Sequence, residues 1–522
     1  MGVTNIGSMI KINFCLLSIK KGGSNLGTAK KKKVSVIGGG LGGISAAISL
    51  AAEGYKVELY EKNDHLGGKL NQATIDGFTF DLGPSILTMP HIFAELFERV
   101  DKEMEDYLNL KKLNLQWRNF FEDGTIIDLY EDVEELNKVN QQLGVQDKKQ
   151  LKEFLDYAED IYGVVEEGYF EEGIDTLFEA LKFYGLITSV KGLDYFSTMH
   201  DGVSRYIDNP YLQHIIDFFI KYVGSSPYNA PAVLNLLPYI QFEYGLWYVE
   251  GGMYNLAQGL KKLMNELGVE INLNSEVVNL AEQDSNIYQL ELKDGTVKET
   301  EIVVSNMEII PAYEELLANN EKLVKKYKKK FEPACSGLVI HLGVDKKYEQ
   351  LDHHNFFFSQ DPREHFKSVF EKKKLPKDPT LYVVAATKTD ATQAPDGCEN
   401  IKVLPHIPHL QDEPFTAEEY EALKERVLDK LERMGLDDLR EHIIVEDVWT
   451  PEDIQSNYYS NRGAIYGVVS DRKLNKGFKA PKQSKNYDNL YFVGGSVNPG
   501  GGMPMVTLSG QQVRDMIVEH HN

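Results

Sequence analysis

The chain has 522 residues, 42% of them hydrophobic and 26% charged, which is too long for one ordinary core and predicts two or more domains. Acids outnumber bases by 79 to 56, and the net charge of −23 repels phosphate backbones and excludes nucleic acid as a partner. Three widely spaced cysteines (Cys15, Cys335, Cys398) suit neither a disulfide framework nor a zinc site, and no stretch reaches the roughly 18 apolar residues of a membrane-spanning helix.

The first 33 residues carry seven lysines and no acid, and their apolar stretch from Met9 to Ile19 is broken by Lys11 and Asn13. A signal peptide needs a cleaner hydrophobic centre, so residues 1–32 are expected to be a disordered basic arm. Val34–Ile37 then reads as a strand, Ile44–Ala52 as a helix with Gly54 as its stop, and Val57–Tyr60 as a second strand. That β-α-β opening predicts a doubly wound α/β fold. From about Pro90 to Tyr248 the pattern changes to long helical segments, with Lys149–Val164 showing a period of about 3.6 residues. After Gly251-Gly252 the α/β pattern returns, with a helix over Tyr254–Leu267 and strands at Glu270–Leu273, Ile287–Leu292 and Glu301–Ser305. A second excursion over roughly 316–484 contains a helix capped by Thr416 and Glu419. The strand Leu490–Val493 and a last helix from about Val506 close the chain. The expected organisation is a cofactor domain in three pieces (33–90, 249–315, 485–522) and an α+β substrate domain in two (91–248, 316–484).

The loop Gly38-Gly39-Gly40-Leu41-Gly42-Gly43 places Gly-x-Gly-x-x-Gly between the first strand and the helix. Gly38 turns the chain out of the strand, Gly40 lets backbone approach a pyrophosphate, and Gly43 lets the helix pack close to the sheet. The helix N-terminus then aims free N–H groups and its positive dipole end at phosphates. Such a loop alone is a weak signal, but Glu61 stands at the end of the second strand, 18 residues past Gly43. A carboxylate there binds adenosine ribose hydroxyls, so the whole pattern reads as a dinucleotide site.

Beyond Glu61, the turn His65-Leu66-Gly67-Gly68-Lys69 resembles flavoproteins of the amine-oxidase and carotenoid-desaturase superfamily. Asp81-Leu82-Gly83-Pro84-Ser85 resembles their segment beside the flavin ring, and Trp247–Gly252 their return to the cofactor domain. The C-terminal run Leu490–Ser496, continued by Val497-Asn498-Pro499-Gly500-Gly501-Gly502-Met503-Pro504, resembles the signature of bacterial carotenoid desaturases and oxidases. The resemblance implies FAD, held by Gly38–Gly43, Glu61, Gly67, Gly68, Lys69, Gly83, Pro84, Ser85, Val277, Gly494, Gly495, Met503 and Val506.

Within that family the sequence is most similar to the oxygenase branch of C30 carotenoid pathways. This implies FAD-dependent oxidation of the terminal methyl of a linear carotenoid of the diaponeurosporene type to an aldehyde, by an enzyme in the cytoplasm touching the membrane peripherally. Desaturases carry a His where Asn498 stands, and Asn cannot relay a proton as imidazole can. Asn498 is thus either a sign of altered chemistry or a loop-holding residue. A desaturase or a saturase/isomerase on the same scaffold is the alternative reading, and a lipid-binding escort protein the non-enzymatic one. Tyr239, Phe242, Leu246, Trp247 and Phe356–Phe358 are candidates for a substrate tunnel, against a plain core role. The run Ala230–Ile240 is a candidate membrane patch or interior. His353-His354 and His406-x-x-His409 lack the third ligand of a metal site, so no metal is expected.

Overall fold

A computed structural model describes residues 32–188, 192–317 and 320–521. The expected arm over 1–32 therefore lies, apart from Lys32, outside the described residues, as does Cys15. Five short strands form one parallel sheet: β1 (Lys33–Ile37), β2 (Lys56–Tyr60), β3 (Glu270–Asn272), β4 (Ile302–Ser305) and β5 (Leu490–Phe492), all but the edge strand β3 almost wholly buried. Their order is β5-β4-β1-β2-β3, with every pair parallel. Helix α1 (Leu41–Ala52) is buried along nearly its whole length, because the sheet lies under it and the last helix, α2 (Met503–His521), lies against it. It stops where Gly54 takes φ +81° and its N–H returns to the Ala51 carbonyl. The two helices touch at Gly510, where an added Cβ would lie 2.6 Å from the Ala46 nitrogen and 2.7 Å from the Gly42 carbonyl. The Ser45 hydroxyl also donates to the Thr507 carbonyl at 2.6 Å. Helix α2 begins at Met503, three residues before the expected start, with Pro504 accommodated in its first turn.

The second sheet has eight strands, drawn mostly from residues 336–449 and ordered Ile443–Trp449, Val339–Val344, Glu399–Ile407, Leu381–Val384, His354–Phe357, Leu115–Phe120, Ile126–Tyr130, with Ser336–Gly337 also on Glu399–Ile407. The last two of the ordered strands correct the expectation that residues 90–248 are helical. Their apolar residues are interrupted by Gln116, Arg118, Asn119 and Asp128, which obscured the strand pattern. Inside the sheet these polar groups find partners: Asn119 donates to the Ile127 carbonyl at 2.8 Å, Arg118 grips Asp128 at 2.8 and 2.9 Å, and Gln116 accepts from the Gln241 amide at 2.9 Å. Trp117, between them, is fully buried and stacks on Phe219 at 4.0 Å. The long helix is present and runs Val145–Val165, started by Asp147 accepting the Gly144 N–H. A strand at Val277–Gln283, unforeseen in sequence, heads a small antiparallel sheet with Asn286–Leu292 and Val297–Glu299.

Candidate functional site

The carboxyl ends of β1, β2, β4 and β5 deliver Gly38, Glu61, Asn306 and Gly494 to one edge of the parallel sheet. Neighbouring strands β2 and β4 lie on opposite sides of β1, so this edge is the switch point where such sheets bind ligands. All four residues border a single continuous cavity of about 500 Å³.

The glycine loop is built for close approach. Gly38 takes φ +91° and its N–H bonds the Tyr60 carbonyl at 2.8 Å. Gly40, Leu41 and Gly42 border the cavity, and the N–H groups of the first turn of α1 have no intrahelical acceptor. Gly39 and Gly43, expected at the cofactor, do not border the cavity and instead brace the loop. The Gly39 N–H bonds Glu61 at 2.7 Å, and Gly43 sits so tightly that an added Cβ would lie 2.1 Å from the Gly38 carbonyl. Glu61 is buried, accepts the Asn63 N–H at 2.9 Å as well, and still reaches the cavity wall. Val277 borders the same end, beside Ser275 and Glu276.

Gly67, Gly68 and Lys69 continue the wall. The Gly67 N–H bonds the Gly39 carbonyl at 2.8 Å, locking the second turn onto the first. The Lys69 ammonium donates to the Ala464 carbonyl at 2.9 Å and faces Glu308 at 3.4 Å. Burial raises the Glu308 carboxyl above its usual range, against the pull of Lys69. Gly83, Pro84 and Ser85 follow, with Gly83 packed so that an added Cβ would fall 1.7 Å from the Lys69 carbonyl. Lys402 holds this segment from behind, donating to the Asp81 carbonyl at 2.9 Å, the Gly83 carbonyl at 2.7 Å and the Ser85 hydroxyl. Burial lowers Lys402 to about 8, opposed by Asp81, and raises Asp81 to about 6, opposed by Lys402. Gly494, Gly495, Met503 and Val506 complete the cradle, with the Gly494 N–H donating to Ser509 of α2 at 2.9 Å.

Asn498 is buried and off the cavity wall, and both ends of its amide are in use. Its oxygen accepts the Tyr169 hydroxyl at 2.7 Å and the Lys479 N–H at 2.8 Å. Its nitrogen donates to the carbonyl and carboxylate of Asp175 at 3.0 and 3.1 Å. Asp175 in turn pairs with the wholly buried Lys482. This geometry favours the loop-holding role for Asn498 over one in the chemistry.

From the glycine cradle the cavity extends into an apolar limb walled by Phe170, Ile174, Leu177, Leu237 and Ile240, among others. The tunnel candidates Tyr239, Phe242, Leu246, Trp247 and Phe356–Phe358 do not border it. Phe356 and Phe357 lie in a strand inside the second sheet, Phe358 directly follows it, and the three stack on Tyr382, Phe120 and Phe121, so they are core. The run Ala230–Ile240 instead contributes Pro231, Val233, Leu234, Leu236, Leu237 and Ile240 to the limb. His353 bonds Thr389 at 2.7 Å and His354 bonds Tyr382 at 3.0 Å, while His406 packs at a tilt between the rings of Phe218 and Tyr466. Burial pushes His353 and His406 down to about 3, so both are neutral. Among the described residues no cluster of three metal-binding side chains occurs.

Sequence reasoning missed Asn306, Glu308, Lys402, Lys221 and Lys479, all on the wall. Asn306 was accessible: it directly follows β4 of the parallel sheet, at the edge where ligands sit, and its side chain accepts the Gly43 N–H at 3.1 Å. The lysines carried a weaker signal: Lys221 and Lys402 are single cations beside apolar residues, and Lys479 is one of several in a lysine-rich segment.

Comparison with known proteins agrees with this geometry. The family model described as flavin containing amine oxidoreductase matches residues 41–514. The chain is 59% identical over 488 residues to a 4,4'-diapolycopene oxygenase of Methylomonas sp, covering 93% of this chain and 98% of that protein. It is 56% identical to a 4,4'-diaponeurosporene oxygenase of Staphylococcus haemolyticus, over 93% of this chain and 97% of that protein. A crystal structure of an oxidoreductase from Methanosarcina mazei superposes with a TM-score of 0.64 at 15% identity, covering 92% of this chain and all of the other.

Proposed function

Since the chain belongs to the flavin containing amine oxidoreductases, we propose that it is an FAD-dependent oxygenase that oxidises the terminal methyl of a linear C30 carotenoid to an aldehyde. FAD rather than a shorter flavin fits the length of the cradle, which reaches from Gly494 and Met503 past the glycine loop to Glu61 and Val277. Glu61 would hold the ribose, the first turn of α1 the pyrophosphate, and Gly83–Ser85 with the start of α2 the ring. Bound there, the flavin supplies the two-electron redox chemistry. The protein's own residues bind and orient the polyene and exclude water.

The observation that carries the substrate class is the charge of the cavity wall. Its only acids among the described residues are Glu61, Glu276 and Glu308, which belong to the dinucleotide end. Among the described residues the limb beyond has no carboxylate to meet an ammonium. An amine is thereby disfavoured, and a long hydrocarbon suits the Leu, Ile, Val and Phe lining. The wall suits a desaturase equally; the relatives, a diapolycopene oxygenase and a diaponeurosporene oxygenase, favour the oxygenase reading.

Access from a bilayer is supported by exposed Phe178, Phe183, Phe196 and Leu474, the first three beside the limb residues Leu177, Tyr184 and Tyr195. We infer that this rim touches the membrane surface while the limb takes in the polyene. No described helix is long and apolar enough to cross a membrane.

The test is to supply the FAD-loaded protein with diaponeurosporene and with dehydrosqualene, in air containing labelled oxygen and under argon. Carbonyl product from diaponeurosporene and none from dehydrosqualene is expected. Longer conjugation without any oxygen in the product would make the enzyme a desaturase instead.

A further inference from the structure

Four lysines are buried around the cavity and the C-terminal loop, and three of them are answered by oxygen. Lys402 meets three oxygens, Lys479 meets the Val468 carbonyl and the Ser470 hydroxyl, and Lys482 meets Asp175 and the Gly173 carbonyl. Lys221 differs. It is almost wholly buried, borders the cavity, and has neither a carboxylate nor a hydrogen-bond acceptor on its ammonium among the described residues. Aromatic rings surround it: Tyr382 at 4.0 Å, Tyr222 at 4.6 Å, Phe356 at 4.7 Å and Trp117 at 5.1 Å from Nζ to each centroid.

Its position is at the redox end of the cavity. The neighbouring Tyr222 carbonyl lies 3.9 Å from where a Cβ on Gly502 would stand, so the backbone beside Lys221 touches the glycine loop that leads into α2. Lys402, anchored on Gly83 and Ser85, lies near enough to repel it.

A buried amine without an acceptor is costly, and ring faces offset only part of that cost. A hydrocarbon substrate brings nothing for it to bond. Oxidation of the terminal methyl, however, produces the one polar atom in the ligand, and produces it at this end of the cavity. We propose that Lys221 hydrogen-bonds the oxygen of the terminal alcohol formed in the first oxidation and holds it in place for the second. This rests on the function proposed above. The second oxidation takes RCH2OH to RCHO; a bound flavin would take up the two electrons and one proton lost from carbon, and the hydroxyl proton would leave to solvent. Burial and the nearby Lys402 hold the Lys221 amine well below its usual range, and a neutral amine can donate to the oxygen or accept its proton. Lys221 thus decides whether the enzyme stops at the alcohol or continues to the aldehyde.

The test compares wild type with Lys221→Met, which keeps the length and removes the polar group, and Lys221→Gln, which keeps a donor. All are loaded with FAD and given diaponeurosporene in air, and products are separated by mass. In Lys221→Met the share of product released as alcohol should rise about fivefold or more, the loss of one net hydrogen bond, with Lys221→Gln in between. A second readout needs no turnover. Under argon, wild type should bind the C30 alcohol about fivefold more tightly than the parent hydrocarbon, read from the shift of the polyene absorption. Lys221→Met should lose that preference. Equal wild-type affinity for alcohol and hydrocarbon, or an unchanged alcohol share in Lys221→Met, overturns the role of Lys221 alone. Absence of any oxygenated product from wild type overturns the function beneath it.

Discussion

Asn498→Asp tests the hydrogen-bond hub at the C-terminal loop with almost no change of shape. The acceptor side of the amide is preserved, so the bonds from the Tyr169 hydroxyl and the Lys479 N–H remain possible. The donor side is replaced by an anionic oxygen, 3.0 Å from the Asp175 carbonyl and 3.1 Å from its carboxylate. Two lost bonds remove about 2 kcal/mol. Two carboxylate charges about 3 Å apart, at an effective dielectric constant of about 20, repel by about 5 kcal/mol. Lys482, already on Asp175, offsets part of this, so a net loss of about 4 kcal/mol is expected, a large share of the ~5–15 kcal/mol typical of a fold. Because Asn498 ties the loop before α2 to residues 169–175, the loss should appear as flavin released at lower temperature. The assay is flavin fluorescence during heating of the loaded protein at pH 8 and at pH 5.5. Release should come well before wild type at pH 8, with the gap narrowing at pH 5.5, where a proton on the new carboxyl restores a donor. Identical release temperatures at pH 8 would show that the hub does not hold the site.

Gly40→Val should purify colourless, because a branched side chain would stand against Asn306, 2.6 Å from its Cβ position, and over the expected pyrophosphate; flavin content by absorbance checks this. Asp81 keeps a proton up to about pH 6 in the folded chain but only to about 3.8 unfolded. Stability should therefore fall as pH rises from about 4 to 6, a slope that Asp81→Asn should flatten in urea titrations. Phe178→Glu with Phe183→Glu should abolish co-flotation with phospholipid vesicles while leaving bound flavin intact. Leu237→Trp, on the wall of the apolar limb, should raise KM for the carotenoid at least tenfold with little change in flavin content. If KM stays unchanged, the limb is not the polyene's path.

The cofactor half of the site was legible because each of its residues has a task that few residue types can perform. Gly38 needs positive φ, Gly43 needs the absence of a Cβ, and Glu61 needs a charge at a strand end, so position and identity together carry the meaning. The substrate half was not legible, since any apolar side chain serves equally in a core or a tunnel. Phe356–Phe358 and Ile240 look alike in sequence, yet the first three fill a sheet and the last lines the limb. The strands at Leu115–Phe120 and Ile126–Tyr130 escaped for a related reason: their polar residues find partners only once the sheet exists. Lys221 stood in plain view within Phe218-Phe219-Ile220-Lys221-Tyr222, but that no described residue offers it a hydrogen-bond acceptor is a three-dimensional fact.

The order of strands in the parallel sheet has a consequence for synthesis. Strands β1 and β2 leave the ribosome first, but β4, which flanks β1, follows about 240 residues later, and β5 with α2 only near residue 490. The glycine loop is thus exposed on a half-built sheet for most of translation, and Gly42 and Asn306 meet Gly494 only at its close. Such distant pairings form slowly. Free flavin should accordingly raise the yield of folded enzyme when it is present during synthesis, by capturing chains as the last strand docks, more than when it is added to finished protein.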